Sequence, residues 1–93
     1  MSQGKNLIIE IPVEIIGDAT LTPAVKILVG IKYSLVVHEG RDEDTVSDIE
    51  FKTIFAALIS QYQSAAQILS LAGKGEVLTV EIEAVEAVRA LNV

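Results

Sequence analysis

The sequence predicts an α+β domain in which a four-stranded antiparallel sheet carries helices on one face, as an open-faced two-layer sandwich. The first observation behind this is the order of patterns: runs rich in β-branched residues and runs with helical spacing follow one another as βαββαβα. The second is the length, since 93 residues without a linker, repeat or low-complexity segment form one domain, residues 1–93. Helices on one face of such a sheet bury one apolar layer.

The first strand and first helix are predicted from residue types at their boundaries. Leu7–Ile16 reads LIIEIPVEII, which favours a strand, with Pro12 indicating a sheet edge or a bulge. Thr22 and Pro23 have the types preferred at the N-cap and the first position of a helix. We therefore expect a loop over the sheet edge at Gly17–Thr22 and a helix after it.

Two further strands are predicted in the middle of the chain. Leu35–His38 ends an apolar, β-branched run and is assigned to a strand. Glu39–Asp44 is charged and contains a glycine, so it is assigned to a turn. Thr45–Phe51 follows as the partner strand of a hairpin.

The second half of the sequence predicts a long helix, a strand and a short helix. Thr53–Ala72 has apolar residues at spacings of three and four, and Gly73–Gly75 ends it. Val77–Ile82 alternates like a strand, and Glu83–Leu91 has a helical apolar face. The stripe of the long helix consists of Phe55, Leu58, Tyr62, Ala65, Leu69 and Ala72.

Composition excludes several classes of function. A hydrophobic fraction of 51% excludes disorder, and a net charge of −6 without a basic patch argues against nucleic acid as a partner. The chain has no cysteine and one histidine, so neither a disulfide nor a zinc site is expected, and no cofactor is implied. The start, Met1–Lys5, does not resemble a signal peptide, which predicts a cytoplasmic protein.

Three short motifs and the predicted element order resemble the HPr family, the small phosphocarriers of the bacterial sugar phosphotransferase system. Thr20–Ala24 (TLTPA) lies where that family has His-Ala-Arg-Pro-Ala at the head of the first helix. Lys52–Ile54 is similar to the start of the family's second helix. The segment LSLAGKGEVLTVEI is similar to the family's stretch that leads through a Gly-x-Gly turn into the last strand.

The resemblance implies a degenerate member without the phosphoacceptor histidine. The family's active-site loop would comprise Thr20, Thr22, Pro23 and Ala24, in which Thr20 replaces the histidine and Thr22 the arginine. A threonine without a neighbouring base is a poor nucleophile, so no catalytic residue and no enzymatic activity are expected. The alternative for Thr20 is a turn residue, and for Thr22 a helix N-cap. Thr53 matches a position of regulatory phosphorylation in the family, or is itself an N-cap.

The remaining polar candidates are assigned structural roles. His38 is expected at a strand end, as a solvated or capping residue, with phosphate acceptance as the alternative. The acidic group around residues 42–50 lacks calcium-loop spacing and is assigned to a solvated turn, so no metal ligand is proposed.

The absence of charge from Thr53 to Gly73 is the most informative feature apart from the resemblance. Three glutamines and several hydroxyl residues argue against a membrane span. An uncharged outer face is typical of contact with another protein, including a second copy in a homodimer. The predicted partner surface consists of Ile59, Gln63, Gln67, Ser70 and Leu71.

Three functions are therefore open from the sequence. The first is an HPr-like domain that acts by protein–protein contact or regulation, with phosphotransferase-system components as partners. The second is a working phosphocarrier with a non-standard acceptor. The third is an unrelated ferredoxin-like domain that serves in assembly.

Overall fold

A computed structural model describes residues 5–75 and 78–82. Helices predominate in this part of the chain, and three of them pack against one another beside a two-stranded sheet. The elements are β1 Lys5–Ile9, α1 Val13–Ile16, α2 Pro23–Val37, a 3-10 turn at Glu43–Thr45, α3 Asp48–Tyr62, α4 Ala65–Ala72 and β2 Leu78–Ile82.

The predicted four-stranded sheet is wrong. Within the described residues the sheet is the antiparallel pair β1–β2, in which Ile9 lies opposite Leu78 and Lys5 opposite Ile82. Leu35–His38, predicted as a strand, is the end of α2 together with its C-cap. Thr45–Phe51, predicted as its partner strand, contains the end of the 3-10 turn and the first turn of α3.

The predicted first strand, Leu7–Ile16, is correct only in its first part. β1 ends at Ile9, and the next residue pairs with α2 because the Glu10 N–H donates to Ser34 Oγ at 2.7 Å. Pro12 then precedes the short helix α1. The helix predicted after Thr22-Pro23 is confirmed as α2, and Gly17–Thr22 is the loop before it.

The long helix predicted at Thr53–Ala72 is two helices. α3 begins earlier, at Asp48, and ends before Gln63, whose backbone has φ +75°. The Ser64 N–H donates to the Tyr62 carbonyl at 2.9 Å, a γ-turn that is strained for a residue other than glycine. Ser64 then caps α4 by accepting from the Gln67 N–H.

The later elements have mixed outcomes. The strand predicted at Val77–Ile82 is confirmed over Leu78–Ile82 as β2. The helix predicted at Glu83–Leu91 lies outside the described residues.

The core lies between the three longer helices and the inner face of the sheet. Leu7 and Ile9 of β1 are buried with Leu78 of β2, whereas Ile8 points outward and is exposed. From the predicted stripe of the long helix, Leu58 and Ala72 are buried and the others pack half-buried against the core. The most completely buried aliphatic side chains are Ile9, Ile27, Ile31, Ile54, Leu58 and Ile68.

Candidate functional site

An apolar groove opens on the surface between the outer sides of α2 and α3. Its volume is about 280 Å³ and it is open to solvent along one side. We call it the α2/α3 groove, and it is lined by Val25, Leu28, Val29, Lys32, Asp48, Phe51 and Lys52.

The helical period of α2 places its groove residues away from the core. Ile27 and Ile31 point inward and are fully buried, whereas Leu28 and Val29 are half-buried and Val25 is 39% exposed. Phe51 provides the other wall from α3 and is also half-buried. The floor and walls are therefore aliphatic and aromatic, and part of this apolar surface remains in contact with water.

Charged side chains lie at the rim of the groove. Lys32 Nζ is 2.5 Å from Glu43 Oε2, so its charge is already paired. Asp48 and Lys52 are exposed and lie one turn apart on α3. Within residues 5–75 and 78–82, no salt bridge joins either of these two side chains to another residue. The groove thus has one available anion and one available cation on the same helix.

The loop that connects the two helices of the groove is held by a partly buried ion pair. Arg41 Nη1 and Nη2 donate to the two Glu50 carboxylate oxygens at 2.5 and 3.1 Å, and Glu50 is only 7% exposed. These hydrogen bonds raise the pKa of Arg41 above its usual value. The Arg41 N–H also donates to the Leu35 carbonyl at 2.9 Å, so the loop folds back onto the end of α2.

The threonines in the loop that resembles the HPr active site have structural roles. The Thr20 hydroxyl and N–H both donate to Asp18 Oδ1, at 2.5 and 2.9 Å, which makes Thr20 a turn residue. Both hydrogen bonds lower the pKa of Asp18, so their stabilisation is present above the unfolded-state pKa and is lost as the pH falls through the folded value. Because this carboxylate is exposed, the effect on stability is small.

The remaining positions of that loop begin α2. The Thr22 hydroxyl accepts from the Val25 N–H at 3.2 Å and is the N-cap, Pro23 is the first helical residue, and Ala24 is exposed. The nearest cation on the helix, Lys26, donates to the Ile16 carbonyl at 2.6 Å. The lysine therefore ties the start of α2 to the end of α1.

Thr53 lies inside α3 and is not its N-cap. Its hydroxyl donates to the Ile49 carbonyl at 2.8 Å, and Ser47 caps the helix by accepting from the Glu50 N–H. The predicted capping role of Thr53 is therefore wrong. Phosphorylation of Thr53 stays a prediction.

His38 caps the C-terminus of α2 and connects it to the strand side of the molecule. Its Nε2 atom is 2.8 Å from Glu10 Oε1, and its ring meets Tyr33 edge to face at 6.1 Å. Ser34, one turn earlier, is 2% exposed and its Oγ accepts from the Glu10 N–H. Since Ser34 is buried and bound to the backbone, this group joins α2 to the residue after β1. Phosphate acceptance by His38 stays a prediction.

The predicted partner surface is divided between two helices and the turn that joins them. Gln63, Gln67 and Ser70 are exposed, whereas Ile59 and Leu71 are half-buried and pack against the core. Among residues 5–75 and 78–82 no group of three or more acidic or histidine side chains could hold a metal ion. No helix in the same residues is long and apolar enough to cross a bilayer.

Comparisons with family models, with curated proteins and with solved structures gave no match to this chain. Membership of the HPr family therefore stays a prediction without independent support. The element order on which the resemblance depended is also absent, because the described part of the chain lacks the two middle strands.

Sequence reasoning did not find the α2/α3 groove because it assigned one wall to a strand. A signal for the correct assignment is present in residues 47–50, which read SDIE. Ser followed three residues later by Glu is a capping box, which predicts a helix that begins at Asp48. With that start, Asp48, Phe51 and Lys52 fall on one side of a helix.

Proposed function

We propose that this chain is a non-catalytic interaction domain that binds a polypeptide through the α2/α3 groove. The observation that carries the proposal is the groove itself, an apolar depression with charged residues only at its rim. Protein interfaces have this arrangement of an apolar centre and a polar rim. Burial of one Val or Phe side chain there would contribute about 1.5–3 kcal/mol.

The polar groups of the described residues support a binding role more than catalysis. The histidine is bonded to Glu10, the Thr20 and Thr22 hydroxyls are bonded within their own turn, and the most buried carboxylate is paired with Arg41. None of these groups lines the groove. The α2/α3 groove thus provides apolar contact area and charge.

Site-specific photo-crosslinking tests the proposal in the producing cell. A photoreactive phenylalanine analogue at Phe51 should yield one reproducible crosslinked polypeptide, because it keeps the rim charges and lies in the groove wall. Val25→Glu should reduce that yield about tenfold or more because a carboxylate enters the apolar wall. Val13→Glu is the matched control, since Val13 is 79% exposed and lies outside the groove. Mass spectrometry identifies the polypeptide.

A photoreactive residue at Ser70 provides the comparison with the exposed face of α4. Absence of a crosslinked polypeptide from position 51, or an equal loss in the Val13→Glu variant, would contradict the proposal. A crosslink from position 70 alone would assign binding to α4 and would equally contradict a role for the groove.

A second candidate function is recognition of duplex DNA by α3 and α4. Two helices joined by a tight turn are the basic unit of a helix-turn-helix, and only Gln63 and Ser64 lie between α3 and α4. The exposed side of α4 carries Ala66, Gln67 and Ser70, which are residue types that can contact base edges. The absence of carboxylates from Phe51 to Gly75 favours this candidate, while the net charge of −6 opposes it.

Fluorescence anisotropy with a mixed-sequence DNA duplex at low salt tests the second candidate. If α4 enters the major groove, Gln67→Glu should weaken binding about tenfold or more, because a carboxylate would face the bases. Ala56→Glu introduces the same charge at an exposed position of α3 and should have a smaller effect. Undetectable binding at low salt, or equal effects of the two variants, would eliminate this candidate.

A further inference from the structure

We infer that the polypeptide in the α2/α3 groove is a second copy of this chain, with the two α3 helices antiparallel across a two-fold axis. This inference rests on the proposed function of the groove. In this arrangement Lys52 of each protomer faces Asp48 of the partner subunit, and the α2–α3 layers of the two copies pack face to face.

The charges of the groove are self-complementary, as a two-fold interface requires. A two-fold axis brings the same patch of both subunits together, so each charge must meet its opposite within that one patch. Asp48 and Lys52 are four residues apart, about 6 Å along the helix axis. Antiparallel alignment of α3 with its copy places each lysine opposite an aspartate, and parallel alignment would place lysine opposite lysine.

The other charged rim residue does not disturb this match. Lys32 is bound to Glu43 of its own chain at 2.5 Å, which leaves Asp48 and Lys52 as the exposed groove charges without a salt bridge among the described residues. A uniformly acidic segment in the groove would place like charge against Asp48, and a uniformly basic one would do so against Lys52. A partner with one charge of each sign at the same spacing satisfies both residues, and a second copy has that spacing.

The apolar centre fits the same arrangement. Val25 is 39% exposed and Phe51 is half-buried, so both retain surface that contact with another helix pair would remove from water. Two helix pairs that meet through such positions form a four-helix arrangement with its own apolar layer. Leu28 and Val29, half-buried in the groove, would complete that layer.

Sedimentation velocity over the micromolar range, with charge-exchanged variants, tests the inference. The wild-type chain should show a reversible dimer. Lys52→Asp alone and Asp48→Lys alone should each weaken the dimer at least about tenfold, because both reciprocal pairs become like-charged. An equimolar mixture of these two variants should form a heterodimer, and the double exchange Asp48→Lys with Lys52→Asp should restore the homodimer.

Circular dichroism verifies that each variant is folded, and Lys74→Asp, an exposed charge reversal outside the groove, is the matched control and should leave the dimer intact. A wild-type chain that stays monomeric throughout, or charge variants whose mixture does not associate, would overturn the inference. If the crosslinker at Phe51 then captures a different polypeptide, the proposed function stands without the dimer. If it captures none, both fail.

Discussion

Gly30→Ala is expected to lower the free energy of unfolding by about 2 kcal/mol, although alanine is the better helix former. Gly30 is buried in the middle of α2, where replacing glycine by alanine ordinarily gains about 1 kcal/mol. Here a Cβ atom would clash with Ile11 Cγ1 and lie 3.4 Å from Ile11 Cβ. Overpacking of a buried site costs about 3 kcal/mol at the upper end of the usual range, so the clash outweighs the helical gain.

Urea unfolding of three variants isolates the contact between Gly30 and Ile11. Gly17→Ala is the matched control, because its Cβ would lie 3.6 Å from the nearest atom and its φ of −83° suits alanine; a change within about 0.5 kcal/mol is expected. Ile11→Ala removes the clashing atoms, so the double variant with Gly30→Ala should lose less stability than the sum of the single losses. An additive result, or equal losses at Gly17 and Gly30, would show that the close approach does not limit the packing of α2.

Arg41→Leu is expected to lower the free energy of unfolding by about 3 kcal/mol. It leaves the Glu50 carboxylate, 7% exposed, without the guanidinium that donates two hydrogen bonds to it. Loss of one member of a buried ion pair costs about 3–5 kcal/mol, and the lower end applies because the Arg41 side chain is 37% exposed. The linker between α2 and α3 would also lose its attachment to α3.

The double variant Arg41→Leu with Glu50→Leu should be much closer to the wild type than Arg41→Leu alone, within about 1 kcal/mol. Lys32→Leu is the matched control for loss of a cation, since its pair with Glu43 is exposed and should contribute less than about 1 kcal/mol. Thermal unfolding monitored by circular dichroism provides the free energy of unfolding of the wild type and of these three variants. If Arg41→Leu and Lys32→Leu were equally mild, the Arg41–Glu50 pair would not be the attachment that orders this loop.

Helix starts that depend on side chains within one turn could be predicted from the sequence. The start of α2 depends on the Thr22 hydroxyl and the fixed backbone of Pro23, both of which act within one turn. Residues 47–50 and 64–67 read SDIE and SAAQ, and both match the capping-box sequence pattern. In the structure each serine begins a helix by accepting from the backbone N–H three residues later. Had these two signals been applied, the sequence would have predicted α3 and α4 as separate helices.

The strand predicted at Leu35–His38 was wrong because β-branched residues are ambiguous in a small apolar chain. Ile27, Ile31 and Leu35 recur every four residues, and in α2 they form the stripe that the core buries. Leu35 belongs to this stripe, but the run Leu35–Val37 favours a strand when the sequence is considered alone. Burial of that stripe against α3 and α4 stabilises the helix over the strand. Those contacts join residues far apart in sequence.

The sequence by itself determined the start of α2 at Thr22, most of β2 and the charge-free stretch, because each depends on residue type within a few positions. Only the tertiary structure decided that Glu50 is buried beside Arg41, and that the outer sides of α2 and α3 form a groove. Residues 25–29 and 48–52 are separated by the loop and by two independent caps. The distance between these two segments depends on how the inner stripes of α2 and α3 pack. That packing leaves the apolar outer sides of both helices next to each other and facing solvent.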